Sequence, residues 1–126
     1  MLVEDNELNM EIAKTLLEMN NAIVTCCENG AVALETFKTN KPGTFDVILM
    51  DIMMPVMDGY KATVAIRSLI REDGKTIPII AMTANAFDED KKKATLSGMN
   101  GHISKPINFE LLFNEIKKQL SKKNEK

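Results

Sequence analysis

The chain carries a single histidine, and its only two cysteines, Cys26 and Cys27, are adjacent. One histidine rules out a zinc set built from cysteine and histidine at ligand spacing. Successive strand side chains point to opposite faces, so no bridge is expected between the two thiols. They read as reduced strand residues packing as small hydrophobes, and a reducing compartment suits them. No apolar run approaches the roughly 20 residues a membrane span needs. A formal net charge of -2 gives no broad basic field for nucleic acid. The first residues, MLVEDN, lack a basic n-region and an apolar h-region, so they do not read as a signal peptide. No glycine-rich loop follows the first apolar run, which argues against flavin or dinucleotide binding.

What is there suits one domain. Of 126 residues, 44% are apolar and 27% charged, enough for a core and an ordinary polar surface. The pattern alternates between two periods. MLV (1–3) is strand-like and stops at Glu4. From Asn6 to Met19, Leu8, Ile12 and Leu16 recur four apart beside Ala13 and Leu17, which predicts a helix. AIVTCC (22–27) is β-branched and strand-like. GAVALETFKTN (30–40) is helical, with Ala33, Leu34 and Phe37 inward, and Lys41-Pro42-Gly43 ends it. FDVILM (45–50) is a third strand. Helical spacing returns from Gly59 to Arg71, with Ala62, Ile66, Leu69 and Ile70 on one side and a turn at Asp73-Gly74. IPIIAM (77–82) is a fourth strand with Pro78 at its start. A polar helix over 87–97 takes Asp88 as its N-cap. GHIS (101–104) is a short fifth strand. Asn108 caps a last helix through Leu120, with Phe109, Leu112, Phe113, Ile116 and Leu120 inward. The domain is taken as residues 1–121 and the polar tail as 122–126. MLV is so short for a first strand that further residues are expected upstream of Met1, from a longer protein or from a misplaced start.

Five strand–helix repeats with near-continuous apolar strands predict an α/β fold, a five-stranded parallel sheet with helices on both faces. Right-handed crossovers make it doubly wound. Ligands bind such sheets at the carboxyl ends of the strands. There the sequence places Glu4-Asp5 after strand 1, Asp51 after strand 3, Thr83-Ala84-Asn85 after strand 4 and Ser104-Lys105-Pro106 after strand 5. Cys27-Glu28, after strand 2, is less distinctive. Three converging carboxylates repel one another and raise each other's pKa. A divalent cation relieves this, and oxygen-only ligands suit Mg2+. Mg2+ beside Lys105 makes a site for a phosphoryl group, to which the Thr83 hydroxyl donates. Asp51, at the centre, is the group that attacks phosphorus and forms an acyl phosphate.

These residues resemble a known family, the response-regulator receiver domain of two-component signalling. LVEDN is similar to its first acidic pair, DVILMDIMMPVMDG to the segment around its phosphoacceptor, IIAMTAN to its switch threonine and GHISKPI to its lysine-proline. The match spans essentially the whole chain. It implies a flavodoxin-like strand order of 2-1-3-4-5. It also implies Asp51 as phosphoacceptor, Mg2+ held by Glu4, Asp5, Asp51 and the Met53 carbonyl, and a cis bond between Lys105 and Pro106. Lys105 would pair with the phosphoryl group, the Ala84 N–H would donate to it, and Thr83 would move towards it on activation. The phosphodonor would be a histidine kinase or a histidine phosphotransfer domain, docking beside the helix from Asn6 to Met19. No nucleic acid and no membrane contact by this segment is expected. MTAN and DIMMPVMDG look most like receivers of hybrid sensor histidine kinases, so a cytoplasmic location is expected, including the cytoplasmic part of a membrane-anchored kinase.

His102 departs from the family, which usually carries Tyr or Phe three residues before the lysine. Weakened or pH-sensitive switching and a plain surface histidine both remain open. Two other functions compete. Aspartate-nucleophile phosphatases place a second Asp two residues on, where this chain has Met53, so efficient turnover is not expected beyond slow self-dephosphorylation. Phosphate-independent degenerate receivers lose an acid or the lysine, and here all are present. Met50, Met53, Met54 and Met57 read as core and loop filling, since no ligand spacing to histidine or cysteine accompanies them.

Overall fold

A computed structural model describes residues 1–84 and 88–124, without the side chains of Asp88, Lys123 and Asn124. The expected Asp88 cap, Asn85 and the end of the tail fall outside the described residues. The elements follow in the order β1 (Leu2–Val3), α1 (Glu7–Met19), β2 (Cys26–Cys27), α2 (Gly30–Thr39), β3 (Ile48–Asp51), α3 (Gly59–Arg67), α4 (Glu72–Thr76), β4 (Ile79–Thr83), α5 (Asp88–Ser97), β5 (Gly101–Ser104) and α6 (Phe109–Asn124). The five strands form one parallel sheet in the order β2-β1-β3-β4-β5. This is the doubly wound order expected.

The central strands β1, β3 and β4 are buried on both faces, which is why they lack alternation. Ile48, Met50 and Ile79 pack with Val3, Phe37, Ala62 and Ile66 on one side. Leu2, Leu49, Ile80 and Met82 pack with Ala13, Leu17, Ile103 and Leu112 on the other. Asparagine side chains start α1 and α2: Asn6 accepts from the Asn9 N–H and Asn29 from the Val32 N–H. Asp58 starts α3 in the same way, accepting from the Lys61 N–H.

Several boundaries differ from expectation. The helix expected over Gly59–Arg71 stops at Arg67, because Arg71 adopts an extended backbone and turns its guanidinium to Asp73, the Phe37 carbonyl and the Phe37 ring. Ile70 is consequently fully exposed and not inward. Asp73 and Gly74 lie inside the short α4 and do not form a turn. On α1 the buried residues are Ala13 and Leu17, whereas Leu8 and Ile12 are 69% and 47% exposed. The last helix passes the expected end at Leu120 and reaches Asn124.

The end of the sheet opposite the acids is tied by Asn100. Its Oδ1 accepts from the Ile79 N–H at 2.8 Å and from Arg67 Nη2 at 2.7 Å, and its carbonyl accepts from Gln119 Nε2. Asn100→Ala leaves both donors without that oxygen and is expected to cost about 2 kcal/mol, read as a lower urea midpoint at unchanged slope.

Candidate functional site

β1, β3, β4 and β5 all point their carboxyl ends at one edge. The chain leaves β1 directly into Glu4 and Asp5, β3 ends on Asp51, β4 on Thr83, and β5 runs through Ser104 into Lys105. Adjacent registers bring these ends level: Asp51 pairs with Met82, and Thr83 with Ser104. The Lys105 N–H donates to the Thr83 carbonyl at 2.7 Å, so the lysine is anchored by backbone to the strand that carries the threonine. The Lys105–Pro106 peptide is cis.

The charged groups do meet. One carboxylate oxygen from each of Glu4, Asp5 and Asp51 lies within 4.8 Å of the others. Lys105 Nζ stands 3.2 Å from Glu4 Oε1 and 3.1 Å from Asp51 Oδ2. Glu4 and Asp51 are nearly closed to solvent, and Asp5 is exposed. Burial, then a hydrogen bond with Glu4 and its charge, push the Asp51 carboxyl up to about 7, although Lys105 opposes them. Burial also acts to raise Glu4, but its bond with Asp51 and the Lys105 charge outweigh it and hold it below its usual range. Burial draws the Lys105 ammonium down, and Asp51 and Glu4 outweigh that too, keeping it high. One lysine therefore does not neutralise the cluster, and Asp51 holds its proton to higher pH than an ordinary carboxyl does. An all-oxygen set with excess negative charge fits a hard divalent cation such as Mg2+.

The β3–α3 loop carries Met53, 76% exposed, past this edge. The Gly59 N–H closes the loop by donating to the Ile52 carbonyl at 2.8 Å. Inside it, the Met57 N–H donates to the Pro55 carbonyl, and Val56 sits at φ 68°. That is a γ-turn with positive φ, a strained choice for a β-branched residue. Thr83 is buried, Ala84 beyond it is exposed, and His102 is half-buried on β5 opposite Ala81.

Beside the acids lies a groove of about 520 Å3, lined by Glu4, Asn9, Ile12, Lys105, Pro106 and Phe109. The sequence pattern set Phe109 inward, where it packs at the edge of the Leu2 and Leu112 core, and it gave no sign of this groove. Helical spacing marks an apolar face without saying what that face meets.

A doubly wound α/β sheet binds its ligands at the switch in strand order, and here that edge carries the acidic, lysine-bearing cluster. Comparison with known proteins is more specific. The family model described as response regulator receiver domain matches residues 1–117. The chain is 41% identical over 124 residues to hybrid signal transduction histidine kinase I of Dictyostelium discoideum, covering 97% of this chain and 7% of that protein. It is 41% identical over 106 residues to sensor histidine kinase GacS of Pseudomonas protegens, covering 83% of this chain and 11% of that one. Among solved structures, it resembles the receiver domain of a Pseudomonas aeruginosa sensor histidine kinase, crystallised with magnesium coordinated in the active-site cleft. There the identity is 35% and the TM-score 0.84, over 95% of this chain and 94% of that one. The chain belongs to the response regulator receiver domain family of two-component signalling. It spans only a small part of the curated relatives it matches.

Proposed function

We infer that this domain takes a phosphoryl group from a phosphohistidine onto Asp51 with Mg2+, and changes conformation as a result. The observation that carries this is the meeting of Asp51 with Lys105 at 3.1 Å, inside a cluster with Glu4 and Asp5. Glu4, Asp5, Asp51 and the Met53 carbonyl would hold the ion, and the magnesium in the Pseudomonas receiver domain supports that assignment. When bound, Mg2+ supplies counter-charge to the carboxylates and to phosphoryl oxygens. The deprotonated Asp51 oxygen attacks phosphorus. The P–N bond to the imidazole breaks, and its electron pair stays on the histidine nitrogen. Lys105 pairs with the transferred group, while the Thr83 hydroxyl and the Ala84 N–H donate to its oxygens. The acyl phosphate then hydrolyses slowly, since Met53 occupies the place of an acid/base carboxylate.

A phosphoryl group adds up to about two negative charges at one spot. Thr83 gains a partner on it, and the surface around α5, β5 and α6 shifts, with His102 beside that path. A few kcal/mol of differential interaction suffices to move such a two-state population. The donor is a histidine kinase or phosphotransfer domain, and the location is cytoplasmic. No described helix is long and apolar enough to cross a membrane. Labelled acetyl phosphate with Mg2+ tests the core of this: incorporation of acid-stable, hydroxylamine-labile label supports it, and none in the wild type refutes it.

Two further outcomes are expected. Asp51 must lose its proton to receive the cation, so Mg2+ affinity should rise with pH and level off above about 7. Calorimetry in two buffers should show nearly one proton released at pH 6 and almost none at pH 8. The exposed Leu8 and Ile12 next to the groove make an apolar face for the donor. Ile12→Asp should slow transfer from a phosphohistidine protein about tenfold or more, with labelling by acetyl phosphate unchanged. Equal loss from both donors would remove the docking role.

A further inference from the structure

The helix α5 is weakly held by its own side chains. Among its described residues only Ala94 is buried, and Leu96 is 87% exposed. The hydroxyls of Thr95 and Ser97 donate to carbonyls of α5 itself, so they tie it to nothing else. A helix polar nearly all round gains little from burial, so other contacts must fix its place. Lys93 supplies one restraint, its ammonium lying 4.6 Å from the centre of the Tyr60 ring on α3. The other is at the carboxyl end.

There the chain leaves α5 through Gly98 at φ 109°. The Gly98 N–H donates to the Thr95 carbonyl and the Met99 N–H to the Ala94 carbonyl, which closes the helix, and Met99 enters the core. Over this turn lies Arg67, the last residue of α3. Its Nε and Nη2 donate to the Gly98 carbonyl at 3.0 and 2.9 Å, its Nη1 to the Gly74 carbonyl of α4 at 3.1 Å, and its Nη2 also to Asn100 Oδ1. Its stem packs on the glycine so closely that a Cβ at Gly98 would stand 3.0 Å from Arg67 Cγ. Among the described residues no carboxylate pairs with it. A half-buried guanidinium engaged with neutral acceptors serves through its fork, which reaches three places of the chain at once, and not through its charge. The other end of α3 is set against the Asp51 carbonyl at Gly59, so the fork stands on a fixed rod.

We propose that Arg67 is the pivot of α5: it pins the carboxyl end of the helix to α3, and α5 opens from its amino end towards Gly98 while the sheet stays folded. The pin also sets how far α5 yields when Thr83 shifts, and this part rests on Asp51 as phosphoacceptor. With the fork gone, Lys93, Ala94 and Met99 are left to restrain the helix, and it loosens along its whole length before any phosphoryl group arrives.

Amide exchange on the whole chain, without Mg2+, tests the pivot. In the wild type the amides of 92–95 should exchange about tenfold or more faster than those of Gly98 and Met99, with 80–82 in the sheet slowest. In Arg67→Met, Gly98 and Met99 should accelerate about tenfold more than 80–82 do. Arg67→Lys keeps the charge, lacks the fork and should behave in the same way. Lys93→Met should accelerate 92–95 and leave Gly98 and Met99 as they are. Gly98 and Met99 exchanging as fast as 92–95 in the wild type would overturn the proposal. So would acceleration only in step with 80–82 in the Arg67 variants, or wild-type rates in Arg67→Lys. Excess acetyl phosphate with Mg2+ then tests the response. Arg67→Met should take label as the wild type does, and labelling should alter exchange of 92–95 in the wild type but not in the variant. The same change in both removes Arg67 from the response. No label in the wild type refutes phosphoryl transfer itself, and the rates without Mg2+ still decide the pivot.

Discussion

Asp51→Asn is expected to abolish Mg2+-dependent labelling by acetyl phosphate, at least a hundredfold below wild type, and at the same time to raise the melting temperature of the metal-free domain. The first effect follows from removing the attacking oxygen. The second follows from the site's electrostatics. The Asp51 carboxyl is 4% exposed and stands against Glu4, so its folded pKa is about 7, well above an ordinary carboxyl. The folded state thus holds this proton more tightly than the unfolded chain does, and folding stability falls as pH rises from about 4 to 7. Asparagine cannot ionise. The variant's advantage should therefore be small at pH 5, widen as pH climbs through neutrality and be largest near pH 8. Mg2+ should reverse the order, stabilising the wild type and leaving Asp51→Asn almost unmoved. Thermal melts across pH, with and without Mg2+, read all of this. A variant that melts below the metal-free wild type at pH 8 would refute the account of a strained carboxyl pair. Residual label in the variant would move the phosphoacceptor elsewhere.

The second large effect belongs to Gly59. A Cβ there would run into the Asp51 carbonyl oxygen and come to 2.9 Å from Ile52 Cα and 3.0 Å from Met50 Cγ. Two of those three are backbone at the very end of β3, which cannot swing aside as a flexible side chain can. The glycine is needed for this close approach, since α3 begins hard against the strand that presents Asp51. Gly59→Ala should cost about 3 kcal/mol in urea unfolding and weaken Mg2+ binding as well, because relief of the collision moves Asp51. A variant unchanged in both midpoint and Mg2+ affinity would show that the loop yields easily. A loss of stability with Mg2+ affinity intact would separate the packing role from the positioning of the acid.

Asp51 and Asp58 look alike in DIMMPVMDG, and the structure gives them different work. Asp51 is the buried end of β3, paired with Lys105. Asp58 accepts the Lys61 N–H as a helix cap. Pattern alone supports the distinction, since one follows an apolar run and the other precedes a helical one. The alternation of periods, the Asn108 cap before α6, the parallel sheet and the polar residues at strand ends were all legible in the same way. Each is a local consequence of chain geometry, and the doubly wound topology does the rest.

What was not legible depended on contacts between distant segments. That Arg71 breaks the helix after α3 depends on Phe37 and Asp73 being within its reach. That Ile12 lines a groove depends on the segment from Lys105 to Phe109 being brought up beside α1. β2 is Cys26–Cys27 where a strand over 22–27 was expected, and β3 is Ile48–Asp51 where 45–50 was expected, because pairing between strands and not local composition sets such bounds. The amino acids by themselves determined which groups carry the chemistry and in what order they arrive at the edge of the sheet. Only the tertiary structure decided that Glu4 and Asp51 share a desolvated pocket with a single lysine. Burial and proximity, which no single segment contains, are what lift the Asp51 carboxyl to about 7.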